Sequence, residues 1–177
     1  MTARIVPRMD VSAFYAIVSA INFTLLGLWW VAVKERADIG GADAPRRRMA
    51  YLVSLGFVIP GTVSLLAQVA PEEPILWRAS FAFAGVAGAV GIAMLGRSLR
   101  DLTGETLLAR VLWFVAVPIY LLVAVVAAIP GIPDALDLRL SSIEIEGFLL
   151  TVLVFLGVQA AWVVAMTPKA ENEADLR

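Results

Sequence analysis

The residues best placed to do chemistry are neutral polar side chains inside long apolar stretches. The first stretch carries Ser12, Ser19 and Asn22, which lie within about 80° of one another at the helical rotation of about 100° per residue. They therefore share one helix face. Lipid offers no hydrogen-bond partners, so each of these groups must meet another helix, water or a solute. Two roles stay open: hydrogen bonds between packed helices, or the lining of a path for water, ions or a small neutral solute.

The second apolar stretch carries a similar seam. Ser54, Gly61 and Gln68 recur at seven-residue intervals with Ser64 beside them, and Pro60 predicts a kink at the centre. In the last stretch Gln159 can complete a hydrogen-bond network between helices. The candidate pore-lining or packing residues are Ser12, Ser19, Asn22, Ser54, Gly61, Ser64, Gln68 and Gln159.

The usual catalytic side chains are missing. The chain contains no Cys and no His, which excludes thiol chemistry, His-ligated haem or zinc, and Ser-His or Cys-His nucleophiles. No ionisable residue is predicted at mid-membrane, so coupled transport is not expected either. We expect a non-enzymatic protein with no cofactor and no metal. The net charge of -1 provides no basic face for nucleic acid.

Five apolar stretches must position these residues. Of the 177 residues, 60% are hydrophobic and 16% charged, and each stretch has roughly the length that a spanning helix needs. We predict an all-α membrane protein, a five-helix transmembrane bundle forming a single domain over residues 1–167, followed by a flexible cytoplasmic tail over 168–177. The predicted spans are 12–33, 49–70, 75–96, 107–129 and 148–166, with Pro118 a second kink in the fourth.

The distribution of Lys and Arg predicts the orientation. The connection after the first span, the connection after the third and the tail carry most of these residues and lie on one side. Cytoplasmic loops carry the basic excess. We therefore expect a cell-membrane protein with its N-terminus outside and its C-terminus in the cytoplasm.

Two basic clusters lie at predicted span ends on the cytoplasmic side. Such residues set topology, and they can also bind anionic lipid headgroups. Both interpretations stay open, and membrane lipids are the expected partners. The candidate headgroup contacts are Arg46, Arg47, Arg48, Arg97 and Arg100.

The third span is rich in small residues. Gly85, Gly88 and Gly91 alternate with alanines, and they form small-xxx-small pairs that point in several directions around the helix. This pattern predicts neighbouring helices on all sides, from this chain or from other subunits.

The segment between the fourth and fifth spans alternates apolar and charged residues. Leu136 to Leu140 and Ile143 to Glu146 follow a period of two, with Ser141-Ser142 between them. This pattern predicts a short extracellular β-hairpin whose apolar face rests on the helix ends. A surface helix is the alternative, and it disagrees with the period.

One segment carries a family resemblance. Thr24-Leu25-Leu26-Gly27-Leu28, followed by Trp29-Trp30-Val31-Ala32, resembles the first helix of small uncharacterised bacterial membrane proteins that share a TLxGLxxVA pattern. The resemblance implies a bacterial inner-membrane setting and no particular activity.

These observations favour a homo-oligomeric passive pore or channel for ions or small solutes, because the polar groups are neutral and form helix faces. The alternative is an accessory or scaffold subunit of a larger membrane complex, with other membrane subunits docked on its small-residue surfaces.

Overall fold

Five long helices build the protein. The computed structural model describes residues 10–36, 44–69, 73–104, 106–129 and 131–166, and within them five helices are long and apolar enough to cross a membrane. This confirms an all-α, polytopic membrane protein. The helices are α1 (Val11–Glu35), α2 (Ala44–Val69), α3 (Pro74–Thr103), α4 (Thr106–Val111, a π-helical turn Leu112–Ala116 and Val117–Ala128), the short α5 (Ile132–Ala135) and α6 (Ser142–Met166).

Local signals set several helix ends. The Asp10 carboxylate accepts a 3.1 Å hydrogen bond from the Ala13 N–H and so caps the start of α1. Pro74 begins α3, where its missing N–H costs nothing. At the other end of α3, Gly104 takes a left-handed conformation (φ 67°) and its N–H bonds to the Arg100 carbonyl, a common way to end a helix.

The helices pack in chain order and α6 closes the bundle. α1 packs on α2, α2 on α3 and α3 on α4, while α6 contacts α1, α2 and α4. α1 and α2 are antiparallel, α1 and α6 parallel. We call the end where α1 and α6 begin the upper end, and the end where α2 and α4 begin the lower end. Large apolar side chains such as Ile17, Phe83 and Phe114 point outward, as a lipid-facing surface requires.

Both predicted proline sites lie within spanning helices. Pro60 lies inside α2 and leaves the Gly56 carbonyl without its usual helical donor. Gly157 of α6 fits against that point, since a Cβ at Gly157 would lie 3.4 Å from the Gly56 carbonyl oxygen. Before Pro118, the turn Leu112–Ala116 widens to a π-helix, which relieves the clash between the proline ring and the preceding turn.

The predicted β-hairpin is wrong. Within residues 131–166 the chain forms the short helix α5, a turn in which Asp137 has a φ of 51°, and then α6, with no strand. The Ser141 N–H and hydroxyl both donate to the Glu144 carboxylate, at 2.8 and 2.7 Å. The bond from the Ser141 N–H to the Glu144 carboxylate is the carboxylate half of a capping box at a helix N-terminus. Ser-Ser therefore begins a helix, and Leu136, Leu138 and Leu140 are exposed instead of covering helix ends.

The third span has neighbours on part of its circumference only. A Cβ at Gly85 would lie 2.6 Å from the Ala124 nitrogen, and one at Gly88 would overlap the Tyr120 ring. α4 therefore packs directly on these glycines. Val86 and Val90 are exposed on another face of α3. Within this chain, α2 and α4 supply the close neighbours of α3, and neighbours from other subunits stay a prediction.

Candidate functional site

The polar face of α1 lies inside the single chain. Asn22 is fully buried, and its side chain contacts α2, where a Cβ at Gly61 would lie 3.1 Å from the Asn22 Cβ. Because Gly61 has no side chain, α1 can pack closely against α2 at this point. The Asn22 amide nitrogen donates to the Val18 carbonyl at 2.8 Å, while the amide oxygen has no hydrogen-bond partner.

Two serines lie one helical turn closer to the upper end. Ser19 precedes Asn22 by three residues and Ser64 follows Gly61 by three, so in an antiparallel pair they come to a similar level. Both are buried and neither hydroxyl oxygen has a partner. Gln68, half-buried another turn up, donates to the Ser64 carbonyl at 2.9 Å.

Glu146 adds an ionisable side chain to this interior. It lies in the second turn of α6 with no exposed surface, and neither carboxyl oxygen has a hydrogen-bond partner among the described residues. The predicted extracellular hairpin would have kept Glu146 outside the bundle. The structure differs because α6 begins at Ser142, six residues before the predicted fifth span. The bundle therefore does hold an ionisable side chain within a spanning helix.

Tyr15 joins α1 to the start of α6 near this carboxyl. Its hydroxyl donates a 2.7 Å hydrogen bond to the main-chain carbonyl of Ile143, three residues before Glu146. Phe81 of α3 packs edge-on against Tyr15 with ring centroids 5.9 Å apart. The Tyr15 side chain is thus held by α3 and by the first turn of α6, one helical turn before Glu146.

A cavity of about 290 Å³ lies between α1 and α6 next to Tyr15. Phe14, Tyr15, Gly147 and Thr151 are among the residues that line it, and Glu144 lies at its rim near the start of α6. The cavity is therefore an open space beside Tyr15 at the upper end of the bundle.

Below Asn22 the interior differs. Ser54 is buried, but its hydroxyl donates to the Tyr51 carbonyl at 2.6 Å. The Trp29 indole N–H donates to the Ala50 carbonyl at 3.0 Å. Phe57 is buried between these levels and Asn22. The buried polar atoms without partners, as far as the chain is described, therefore lie from Asn22 to Glu146.

The remaining candidates are outside this interior. Ser12 is exposed in the first turn of α1, and Gln159 is exposed on α6. The eight predicted residues thus do not form one lining: Asn22, Ser19, Gly61 and Ser64 come together, Gln68 borders them, Ser54 lies lower, and Ser12 and Gln159 face outward.

The basic candidates surround the lower end. Arg97 lies over the Trp113 ring at 5.3 Å, and Arg100 is 3.6 Å from Asp101 in an exposed ion pair. Arg100 and Arg110, from two helices, border one groove with Trp113. Arg47 and Arg48 border another with Trp30 and Tyr51, while Arg46 begins α2 beside them.

Two arginines have unexpected partners. Arg78 donates to the carbonyls of Ala127 and Ala128, at 2.8 and 3.1 Å. Arg36 donates to the Ala165 carbonyl at 2.7 Å. Each guanidinium thus satisfies carbonyls that the end of α4 or α6 leaves open. Neither is available to neutralise Glu146.

Sequence reasoning missed Glu146 and Tyr15. The signal for Glu146 was Ser141-x-x-Glu144 before an apolar run, which is a capping-box pattern. Tyr15 carried no signal, because its role depends on a partner 128 residues away.

No protein-family model, no curated protein and no solved structure matches this chain. Its function must therefore be argued from the interior itself.

Proposed function

We propose that this protein is a passive conduit for ions or small polar solutes, with the path inside the single helix bundle. The observation that carries the proposal is the set of buried polar atoms without protein partners on Ser19, Asn22, Ser64 and Glu146. A buried polar atom costs free energy unless it is hydrogen-bonded. Water or a passing solute supplies those bonds along the path.

The path enters at the upper end. A solute reaches the cavity between α1 and α6, passes Tyr15 and Glu146, and descends past the two serines to Asn22. An internal path replaces a ring of subunits, since Ser19 and Asn22 of α1 are buried and Asn22 contacts α2. An oligomer is not required for conduction.

The lower half acts as the gate. Phe57 and the Trp29–Ala50 hydrogen bond close the interior below Asn22. α2 has lost a backbone hydrogen bond at Pro60, at the level of the Asn22 contact. A helix flexes most easily where its hydrogen-bond ladder is broken, so opening of the gate is a bend of α2 at this point.

Flux through purified protein in liposomes tests the conduit. Asn22→Leu replaces the deepest unpartnered polar group with an apolar one of similar size and should abolish flux of water, ions or small solutes. Ser12→Ala, on the exposed first turn of the same helix, should leave flux unchanged. Flux equal in the wild type and N22L, or absent in all three proteins, would refute the proposal.

An accessory role in a larger complex is the second candidate, and one observation favours it. Gln159 lies on the exposed surface of α6 and makes no hydrogen bond to any described residue. An amide facing lipid lacks partners that a neighbouring helix would supply. α1 also leaves open space at Gly27, where a Cβ would meet nothing within 4 Å.

The mass of the protein extracted from its own membrane tests this second role. An accessory subunit runs as a larger assembly, which Gln159→Leu and Gly27→Leu should weaken while the bundle itself stays folded. Monomeric wild-type protein would contradict the accessory role and leave the conduit unaffected.

A further inference from the structure

Glu146 is the buried group that a passive path for neutral solutes does not explain. Taking an unpaired carboxylate out of water costs far more than burying the neutral acid. An amide or hydroxyl would line a neutral path more cheaply. A carboxyl at this position therefore points to a ligand that compensates its charge.

Among the described residues, no Lys or Arg side chain pairs with the Glu146 carboxyl to neutralise its charge. Arg78, at the same end of the bundle, directs its guanidinium to the Ala127 and Ala128 carbonyls. After Arg48, α2 contains no charged residue up to Val69. On α4, Tyr120 is the titratable residue of the segment 117–128, and it packs against Gly88 of α3.

The surroundings suit a proton better than a metal ion. On α1 the titratable neighbour is Tyr15, whose hydroxyl hydrogen is already committed to the Ile143 carbonyl. On α6 itself Glu144 is engaged by Ser141 at the helix cap. A metal cation needs several oxygen ligands around it, whereas a proton needs one carboxyl oxygen. Within the described residues, no group of three or more acidic side chains is placed to hold a metal ion.

We infer that Glu146 is a reversible proton-binding site that makes passage through the bundle depend on proton concentration at the upper end. The inference rests on the proposed conduit for its functional consequence, but the site itself does not. With the proton bound, Glu146 is a neutral hydrogen-bonding group. When the proton leaves, the buried charge draws in water and the packing of α1 on α6 must change. The cavity is lined by Tyr15 and by Gly147, the residue after Glu146, and in this proposal it supplies that water.

Infrared difference spectroscopy of the purified protein in lipid, titrated with pH, tests the site without any flux measurement. The carbonyl stretch of a protonated carboxyl should appear and disappear with pH in the wild type. Glu146→Gln should lose this band. Glu73→Gln, which removes an exposed carboxyl at the start of α3, should retain it. A band that survives in E146Q, or a wild type without one, would overturn the inference.

Two further measurements test whether the ligand is a proton or a metal ion and provide a test of the site that does not depend on the folding of E146Q. Replacing sodium and potassium by a bulky organic cation at constant pH should leave the band unchanged, and a band that metal ions remove would overturn the proton as ligand. If E146Q does not fold, the wild-type protein can be treated with an apolar carbodiimide, which reacts with protonated carboxyls. Modification of Glu146 should then decrease as the pH rises. The absence of any adduct on Glu146 would overturn the inference. A titrating band without flux in liposomes would refute the conduit and leave the proton site intact.

Discussion

The Tyr15 hydroxyl donates a 2.7 Å hydrogen bond to the main-chain carbonyl of Ile143, and this bond joins the first span to the last. The partner carbonyl lies in the first turn of α6, three residues before Glu146. α1 is otherwise the least buried of the five spans. The bond therefore fixes the position of α1 at the level where the proposed path begins.

Tyr15→Phe should destabilise the bundle by about 1 kcal/mol, the usual net contribution of one such hydrogen bond. The ring and its packing on Phe81 are retained, so the change isolates the hydroxyl. Unfolding in mixed micelles gives the free energy. The control is Tyr51→Phe, on an exposed tyrosine of α2. Equal stability of the two variants would show that the Tyr15 bond adds nothing.

Gly85→Ala should be the most damaging small substitution in α3. Its Cβ would lie 2.6 Å from both the Ala124 nitrogen and the Tyr120 carbonyl oxygen, and neither backbone atom can move alone. We expect a loss of about 1–3 kcal/mol or more from overpacking. The same unfolding assay applies.

The matched control is Gly27→Ala in α1. A Cβ there meets nothing within 4 Å, and alanine favours a helix over glycine by about 0.5–1 kcal/mol. This variant should be as stable as wild type or more so. A similar loss in both variants would contradict the close approach of α3 and α4.

The sequence predicted the spans well where apolar runs are continuous. α1 and α4 match their predicted spans to within two residues at each end, because hydrocarbon thickness and helix rise together fix the length of a span. α2 begins five residues before its predicted start and α3 ends seven residues after its predicted end. Glycine and proline also pointed to real features: Gly61 admits Asn22, and Pro118 follows a π-helical turn. The predicted tail at 168–177 lies outside the described residues.

The sequence failed where local pattern and tertiary packing disagree. Ile143 to Glu146 alternates like a strand, yet the capping bonds from Ser141 to Glu144 start a helix there. Once that helix continues into the bundle, Glu146 is necessarily carried inside with Gly147 and Leu150. Ser12 and Asn22 share a predicted face, but α2 covers only the deeper residue. Such burial depends on which helices meet, and period alone does not specify that.

Glu144→Ala should unravel the start of α6. It removes the acceptor of both Ser141 bonds, worth about 1 kcal/mol for a helix cap. Amide hydrogen exchange should rise in the first turn of α6 and stay unchanged in α3. Glu144→Gln keeps an acceptor oxygen and should have a smaller effect. Unchanged exchange in E144A would contradict the capping box.

Cysteine labelling should place the upper end outside the cell. The chain has no native Cys, so single replacements report unambiguously. Ala135 follows the end of α4 at the upper end and Ala44 begins α2 at the lower end, and both are exposed. Arg46, Arg47, Arg48, Arg97 and Arg100 all lie at the lower end, and basic residues accumulate on the cytoplasmic side.

In intact cells a membrane-impermeant maleimide should therefore modify Ala135→Cys and leave Ala44→Cys unmodified until the membrane is permeabilised. Both changes are alanine to cysteine and alter no charge, so the replacements themselves do not disturb the topological signal. The opposite labelling pattern would show that the bundle has the reverse orientation in the membrane. Glu146 would then exchange its proton with the cytoplasm, and acidification of the inside of the liposome, instead of the outside, would control flux.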